Sequence, residues 1–437
     1  MYRDLMRAKL PRSPSLPSSS EDYHPNTHSP LQEDGFENDD EDDEAEELLD
    51  VMPELARKRV FGAHYSPVSA SQYFSQALEV ETDQGAFRVY YTPPETNLPL
   101  SSINQFPSES LSFEENTLDF IPTKAPWALE QPVAPPPIDE DDDKTTLFVC
   151  IHGAAYSGLA WACFAKSLAD GSAGRAGVWA WDARGHGQTS MLDPSTETDL
   201  SQKTLTNDLV SVLCAMFPDK DNRYTLILLG HSMGGSIATH AAKLLQEAGF
   251  KVVGLIVIDV VEGTALDALP AMESVIDARP KGFRSIEEAV SWHLQSNTLR
   301  NIESARVSVK GNIIENSNAA ADSTAPDRYL WRVNLKGTKP FWEGWFKGLS
   351  STFLSAPCPK LLLLAGSDRL DKELLVGQMQ GNWANFVEGK YQLEVFTDVG
   401  HCVQEDAPAR TAKLVHEFWK RNDRGNFLKN VKKVGEV

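Results

Sequence analysis

The sequence predicts an α/β protein, a mostly parallel sheet covered by helices on both faces. Three observations carry this: short continuous apolar runs, helical patterns between them, and a glycine-flanked serine at the end of one run. Such runs suit strands buried on both faces of a parallel sheet. They fall at 145–151, 178–181, 224–229, 252–258, 360–364 and 391–396. Helical spacing over 204–216, 236–248 and 407–421 supplies the covering layers, and strands alternating with helices imply parallel pairing. Before them, Ala86-Phe87-Arg88-Val89-Tyr90-Tyr91 alternates and reads as a further strand. About a hundred residues separate Asp259 from the strand starting at Lys360. That is too long for a simple crossover. We read residues 263–355 as a mostly helical cap over the carboxyl ends of the strands.

The rest of the chain is organised by charge and proline. The 437 residues carry a net charge of −21. Residues 33–50 hold twelve Asp and Glu with no Lys or Arg, and residues 139–143 hold five more. The remainder is therefore close to neutral. Like-charge blocks repel themselves and read as solvated tails or loops. Residues 1–60 are expected to be a disordered acidic leader, 61–425 the folded domain, 93–144 a poorly ordered Pro-rich insertion and 426–437 a tail. The acidity argues against nucleic acid as a partner.

Five scattered cysteines without paired spacing point away from a disulfide framework and toward a reducing compartment. No signal-peptide core and no apolar run of membrane-spanning length occurs. A protein without membrane attachment, in the cytoplasm or nucleus, is expected, with Arg57-Lys58-Arg59 as a short candidate import signal.

The chemistry concentrates at strand ends. Gly230-His231-Ser232-Met233-Gly234 follows an apolar run and opens a helical pattern, the strand–turn–helix context of a G-x-S-x-G nucleophile elbow. This predicts an α/β-hydrolase fold with Ser232 as nucleophile, raised above the sheet at a helix N-terminus. His152-Gly153-Ala154-Ala155 follows the run ending at Ile151. The backbone N–H groups of Ala154 and Met233 are the expected oxyanion donors. His401 follows the last strand and comes last in chain order, where the general base belongs. Two carboxylates fit the acid: Asp259, ending the 252–258 run, and Asp368, after the 360–364 run. Fold analogy slightly favours Asp368. Asp182-Ala183-Arg184-Gly185-His186-Gly187 resembles part of a dinucleotide fingerprint, but Ser190 stands where the third glycine would be, so it reads as a structural turn. His416-Glu417 lacks the second zinc-binding histidine, since position 420 is Lys. No metal or cofactor is expected, and a triad needs neither.

Beyond these motifs, the chain resembles the protein phosphatase methylesterases over roughly residues 60–420. The resemblance rests on Ser66-Pro67-Val68 with Ser71-Gln72-Tyr73-Phe74, the elbow 229–235, Ile258-Asp259-Val260-Val261-Glu262-Gly263-Thr264-Ala265 and Arg300-Asn301-Ile302-Glu303-Ser304-Ala305-Arg306-Val307-Ser308. Trp342-Glu343-Gly344-Trp345-Phe346, residues 361–372 and Gly377-Gln378-Met379-Gln380-Gly381 complete it. It implies a serine esterase that removes the methyl ester from the carboxyl-terminal leucine of the protein phosphatase 2A catalytic subunit, and that also binds this phosphatase. It moves the expected acid from Asp368 to Asp259. The Gly153-Ala154-Ala155 loop is less glycine-rich than the family's usual one. Trp342 and Trp345 could line an apolar leucine pocket or serve cap packing.

Overall fold

Each apolar run becomes a strand of one sheet. The computed structural model describes residues 64–95, 145–219, 224–317, 327–366, 374 and 391–422, and its elements lie within one compact unit, Ser66–Val437. The acidic leader, the basic triplet, most of the Pro-rich insertion, Asp368, residues 377–381 and the tail lie outside the described residues.

The chain opens with the antiparallel pair β1 (Gln76–Glu81) and β2 (Gly85–Thr92). There follow β3 (Thr146–Ile151), α1 (Ala162–Ser172), β4 (Ala176–Trp181), the short β5 (Ser190–Met191), α2 (Gln202–Met216) and β6 (Thr225–His231). Next come α3 (Met233–Glu247) and β7 (Lys251–Ile258). After the inserted region, β11 (Lys360–Leu364) and β12 (Tyr391–Val395) complete the sheet, and α9 (Val403–Asp406) and α10 (Pro408–Asn422) close the fold. The strand order is β1-β2-β4-β3-β6-β7-β11-β12, with β5 paired to β2. From β4 to β12 every neighbouring pair is parallel.

Two apolar layers sandwich this sheet. Trp179, Leu228, Met233, Ile237 and Leu255 belong to the first, and Phe148, Trp161, Phe164, Leu363 and Phe418 to the second. β3, β4 and β11 are buried along their whole length, which explains why they read as unbroken apolar runs rather than alternating ones.

The inserted region contains α4 (Glu262–Asp277), β8 (Gly282–Phe283), α5 (Ile286–Gln295), α6 (Ile302–Ser308), β9 (Ile313–Glu315), β10 (Tyr329–Trp331), α7 (Trp342–Phe346) and α8 (Leu349–Ser355). It is mostly helical, as expected, but it also carries a small antiparallel sheet in the order β8-β10-β9. Strands of two or three residues leave too little alternation to read from sequence. No helix among the described residues is long and apolar enough to cross a membrane.

Candidate active site

The elbow is built by strain at one residue and glycine at two others. Ser232 has φ 53° and ψ −122°, a backbone conformation that side chains rarely adopt. A Cβ on Gly230 would strike the carbonyl oxygen of Gly234, and one on Gly234 would strike that of Ile151. The turn is held by Ser232 N–H to Ile258 O at 3.0 Å and Gly235 N–H to Ser232 O at 2.8 Å. Ser232 occupies the N-cap of α3, yet its side chain caps nothing. Serine at such a position normally accepts a hydrogen bond from the helix; here the hydroxyl is left for other work. Met233 begins the helix, where a backbone N–H has no intrahelical acceptor.

His401 and Asp259 meet beside this turn. The Nδ1 of His401 lies 2.6 Å from Oδ2 of Asp259. Oδ1 of Asp259 accepts the Ala365 N–H at 2.8 Å, so both carboxylate oxygens are engaged and the carboxylate is fixed in orientation. Its side chain is fully buried, whereas that of His401 is 31% exposed. Asp259 also has positive φ, 54°, which aspartate tolerates better than most residues. The His401 loop is anchored to the elbow itself. His231, the neighbour of Ser232, lies with Nε2 3.0 Å from the His401 carbonyl, and the two rings are 4.7 Å apart. Because a carbonyl only accepts, His231 carries its proton on Nε2.

The loop after β3 is held by a reciprocal pair of histidines that the sequence did not reveal. Nε2 of His152 accepts the Ala183 N–H at 3.0 Å, and Nε2 of His186 accepts the Ala155 N–H at 3.0 Å. Their Nδ1 atoms lie 2.8 Å from the carbonyls of Gly153 and Arg184 respectively, so each ring donates from Nδ1 and is neutral. Burial pushes both pKa values down, His152 well below the usual imidazole range and His186 to about 4. The 182–187 stretch thus has a definite task. Asp182 takes the Gly158 and Gln188 N–H groups, at 2.7 and 2.9 Å, and Arg184 pairs bidentately with buried Asp208 at 2.8 Å. Since His186 occupies the Ala155 N–H, the expected donor, Ala154, is the half-buried residue between two fixed positions.

The inserted region grips the His401 loop from the other side. Asp406 accepts the Gly400 N–H at 2.6 Å and the Arg300 N–H at 2.8 Å. Arg300 Nη1 donates to Asp398 O at 3.0 Å, and Ser304 Oγ to Glu405 O at 2.8 Å. The same stretch reaches the amino-terminal segment: Arg306 Nε donates to Ser66 O at 2.7 Å, and Val68 N to Arg306 O at 3.0 Å. Two stretches that only carried resemblance in the sequence therefore touch. Glu262, three residues beyond Asp259, accepts the Gly348 and Ser350 N–H groups at 2.8 and 3.0 Å, capping α8. Trp342 and Trp345 are buried in the core, with indole N–H groups on Thr338 Oγ1 and Leu200 O. Of the two readings, packing is the one their surroundings support.

Comparison with known proteins agrees with this architecture. The model of the alpha/beta hydrolase family matches residues 148–414. A protein phosphatase methylesterase 1 of Cryptococcus neoformans var. neoformans is 40% identical over 431 residues, covering 97% of this chain and 93% of the relative. One from Aspergillus oryzae is 47% identical over 294 residues, 64% of each chain, and a probable one from Caenorhabditis elegans 45% over 274 residues, 62% of this chain and 68% of the relative. The chain is a carboxylic ester hydrolase, and it belongs to the protein phosphatase methylesterase family of α/β-hydrolases.

Proposed function

We propose that this protein removes the methyl ester from the carboxyl-terminal leucine of the protein phosphatase 2A catalytic subunit, using Ser232, His401 and Asp259 as a triad. The observation that carries the mechanism is the 2.6 Å contact between His401 Nδ1 and the buried Asp259 carboxylate, on a loop tied to the elbow residue His231. The names of the relatives support a methyl ester on a protein phosphatase, and the sequence resemblance narrows it to the phosphatase 2A tail.

In the first step, Nε2 of His401 takes the Ser232 proton while Oγ attacks the ester carbonyl. The oxyanion meets the Ala154 and Met233 N–H groups, aided by the N-terminus of α3. Collapse expels methanol, which leaves with the proton held by His401. Water, deprotonated by the same nitrogen, then attacks the acyl-enzyme and frees the leucine carboxylate and Ser232. Asp259 stays ionised, fixing the tautomer and stabilising the imidazolium. Methanol offers almost no surface to bind, so recognition rests on the leucine side and on the partner protein.

The test is incubation with carboxymethylated phosphatase 2A, followed by mass measurement of its tail. Loss of one methyl group per catalytic subunit is expected. Ser232→Ala should lower the rate by at least about 10⁴-fold while phosphatase binding persists. Retained turnover in that variant sinks the triad. Hydrolysis of simple esters with none of the methylated phosphatase points instead to a general carboxylesterase. Binding without methyl loss points to an inhibitory binding protein.

A further inference from the structure

The inserted region places a cation beside the site with no anion to match it among the described residues. Arg279 follows the carboxyl end of α4, and its guanidinium sits 4.9 Å over the ring of Trp331. Trp331 is itself fixed, because its indole N–H donates to the carbonyl of Pro280 at 2.8 Å. Phe283, Trp292 and His293 pack around that indole at ring separations of 5.3, 5.5 and 5.6 Å. The guanidinium is therefore held in place rather than waving in solvent. It is half-buried, and burial works against its charged form.

Among the described residues, no carboxylate pairs with Arg279 and no acceptor takes its guanidinium N–H groups. Its titratable neighbours are Tyr156 and Cys402, both kept protonated by burial and joined by a 2.9 Å contact between Cys402 Sγ and the Tyr156 hydroxyl, and His293, whose imidazole pKa burial pushes down to about 4. Glu405, which also faces Tyr156, has its carboxyl pushed up to about 8 by burial. Among the described residues, no ionised group is paired with the guanidinium. Stacking on an indole offsets only part of what desolvating a charge costs. An unmatched, preorganised guanidinium is an arrangement suited to a carboxylate brought by a ligand.

The recess adjoins the reacting groups. Tyr156 stands edge-on to His231 at 5.6 Å, His231 precedes Ser232, and Cys402 follows His401. We infer that Arg279 is a specificity-determining residue that binds an acidic side chain of the substrate tail a few residues before the methylated leucine. This rests on the proposed esterase reading and narrows it to methyl-ester tails bearing a nearby carboxylate.

The experiment uses the full chain and pairs of leucine methyl ester peptides that differ only by Asp against Asn, moved through the three positions before the leucine. Methanol release gives kcat/KM for each. The unmodified protein should prefer Asp at one position by about 10- to 100-fold, mainly through KM. Arg279→Gln should bring that ratio close to one, and Arg279→Lys, which keeps the charge but not the fork, should keep part of it. An Asp/Asn ratio near one at every position in the unmodified protein, or a preference that survives Arg279→Gln, overturns the inference alone. If no peptide and no methylated phosphatase releases methanol while a fluorophosphonate still labels Ser232, the proposed substrate fails and this inference with it.

Discussion

α3 and α4 flank β7 in the chain and are nearly equal in length, yet they are held quite differently. Ten of the fifteen residues of α3 are buried, whereas in the sixteen-residue α4 only Ala268 is. α3 carries the elbow and packs against both β6 and β7. α4 lays Leu266, Leu269, Met272 and Ile276 against the core without burying them fully, and its outer face reaches the neighbouring 3-10 turn Leu335–Phe341 through the exposed ion pairs Lys336–Asp277 and Lys339–Glu273. The comparison separates a region where geometry is set by close packing from one where it is set by a few polar contacts. Reacting groups need the first, and a surface that meets a protein partner can use the second.

The largest expected break of this comparison is at the sheet end. Asp259→Asn should lower kcat for methyl release by about 10⁴-fold, the scale of the same change in a serine protease triad. Asp368→Asn should stay within tenfold. The reverse ranking would show that the His401–Asp259 contact is structural. Only a measured kcat for both variants settles the matter.

Acid stability comes next in size. His186 and His293 have pKa values pushed down to about 4 by burial, below the ordinary 6.5. Between those values the unfolded chain binds protons that the folded chain refuses. Stability is thus intact above the ordinary histidine pKa and falls as pH drops toward 4, by roughly 3 kcal/mol for each fully buried ring. Glu405, raised to about 8, acts in the opposite sense: the folded chain keeps a proton that the unfolded chain loses above its ordinary value of 4.5, so stability declines as pH rises toward 8. Urea midpoints should peak near pH 6.5. Glu405→Gln should flatten the alkaline limb and leave the acid limb in place; an unchanged alkaline limb would refute the assignment.

A smaller effect is expected where the insert grips the His401 loop. Asp406→Ala frees the Gly400 and Arg300 N–H groups and loosens the loop, which should lower kcat about tenfold with KM little changed. A pure loss of thermal stability, with kcat intact in the folded fraction, would show that the clamp does not position His401. Smallest of all, Lys339→Ala removes an exposed ion pair on α4 and should change unfolding free energy by less than about 0.5 kcal/mol. A loss of several kcal/mol there would mean that α4 is anchored more firmly than its burial indicates.

Much of the sheet was legible because both of its faces are covered. A strand buried on both sides must be apolar along its length, and β3, β6 and β11 advertised themselves that way. The elbow was legible for a different reason: Gly230 and Gly234 stand where backbone carbonyls leave no room for a side chain, so local sterics dictate the residue type. The latch of His152 and His186 was not legible, since the two hydrogen bonds that close it join residues 31 apart whose neighbours suggest only turns. The roles of Arg300, Asp406 and Glu262 were hidden likewise, each being a hydrogen bond to backbone that leaves no periodic trace.

By itself, then, the order of residues determined the strands of the large sheet, the helices that cover it and the glycine-flanked turn at Ser232, because hydrophobic burial and local backbone sterics act within a few residues and must be written there. Position in the chain admitted two acids and slightly favoured Asp368, which lies outside the described residues; the methylesterase resemblance pointed to Asp259, and the folded chain sets that carboxylate 2.6 Å from the imidazole. The reason is that β7, β11 and the loop after β12 converge at one end of the sheet through long-range pairing, and distances across a sheet are decided by strand order, which no local pattern encodes.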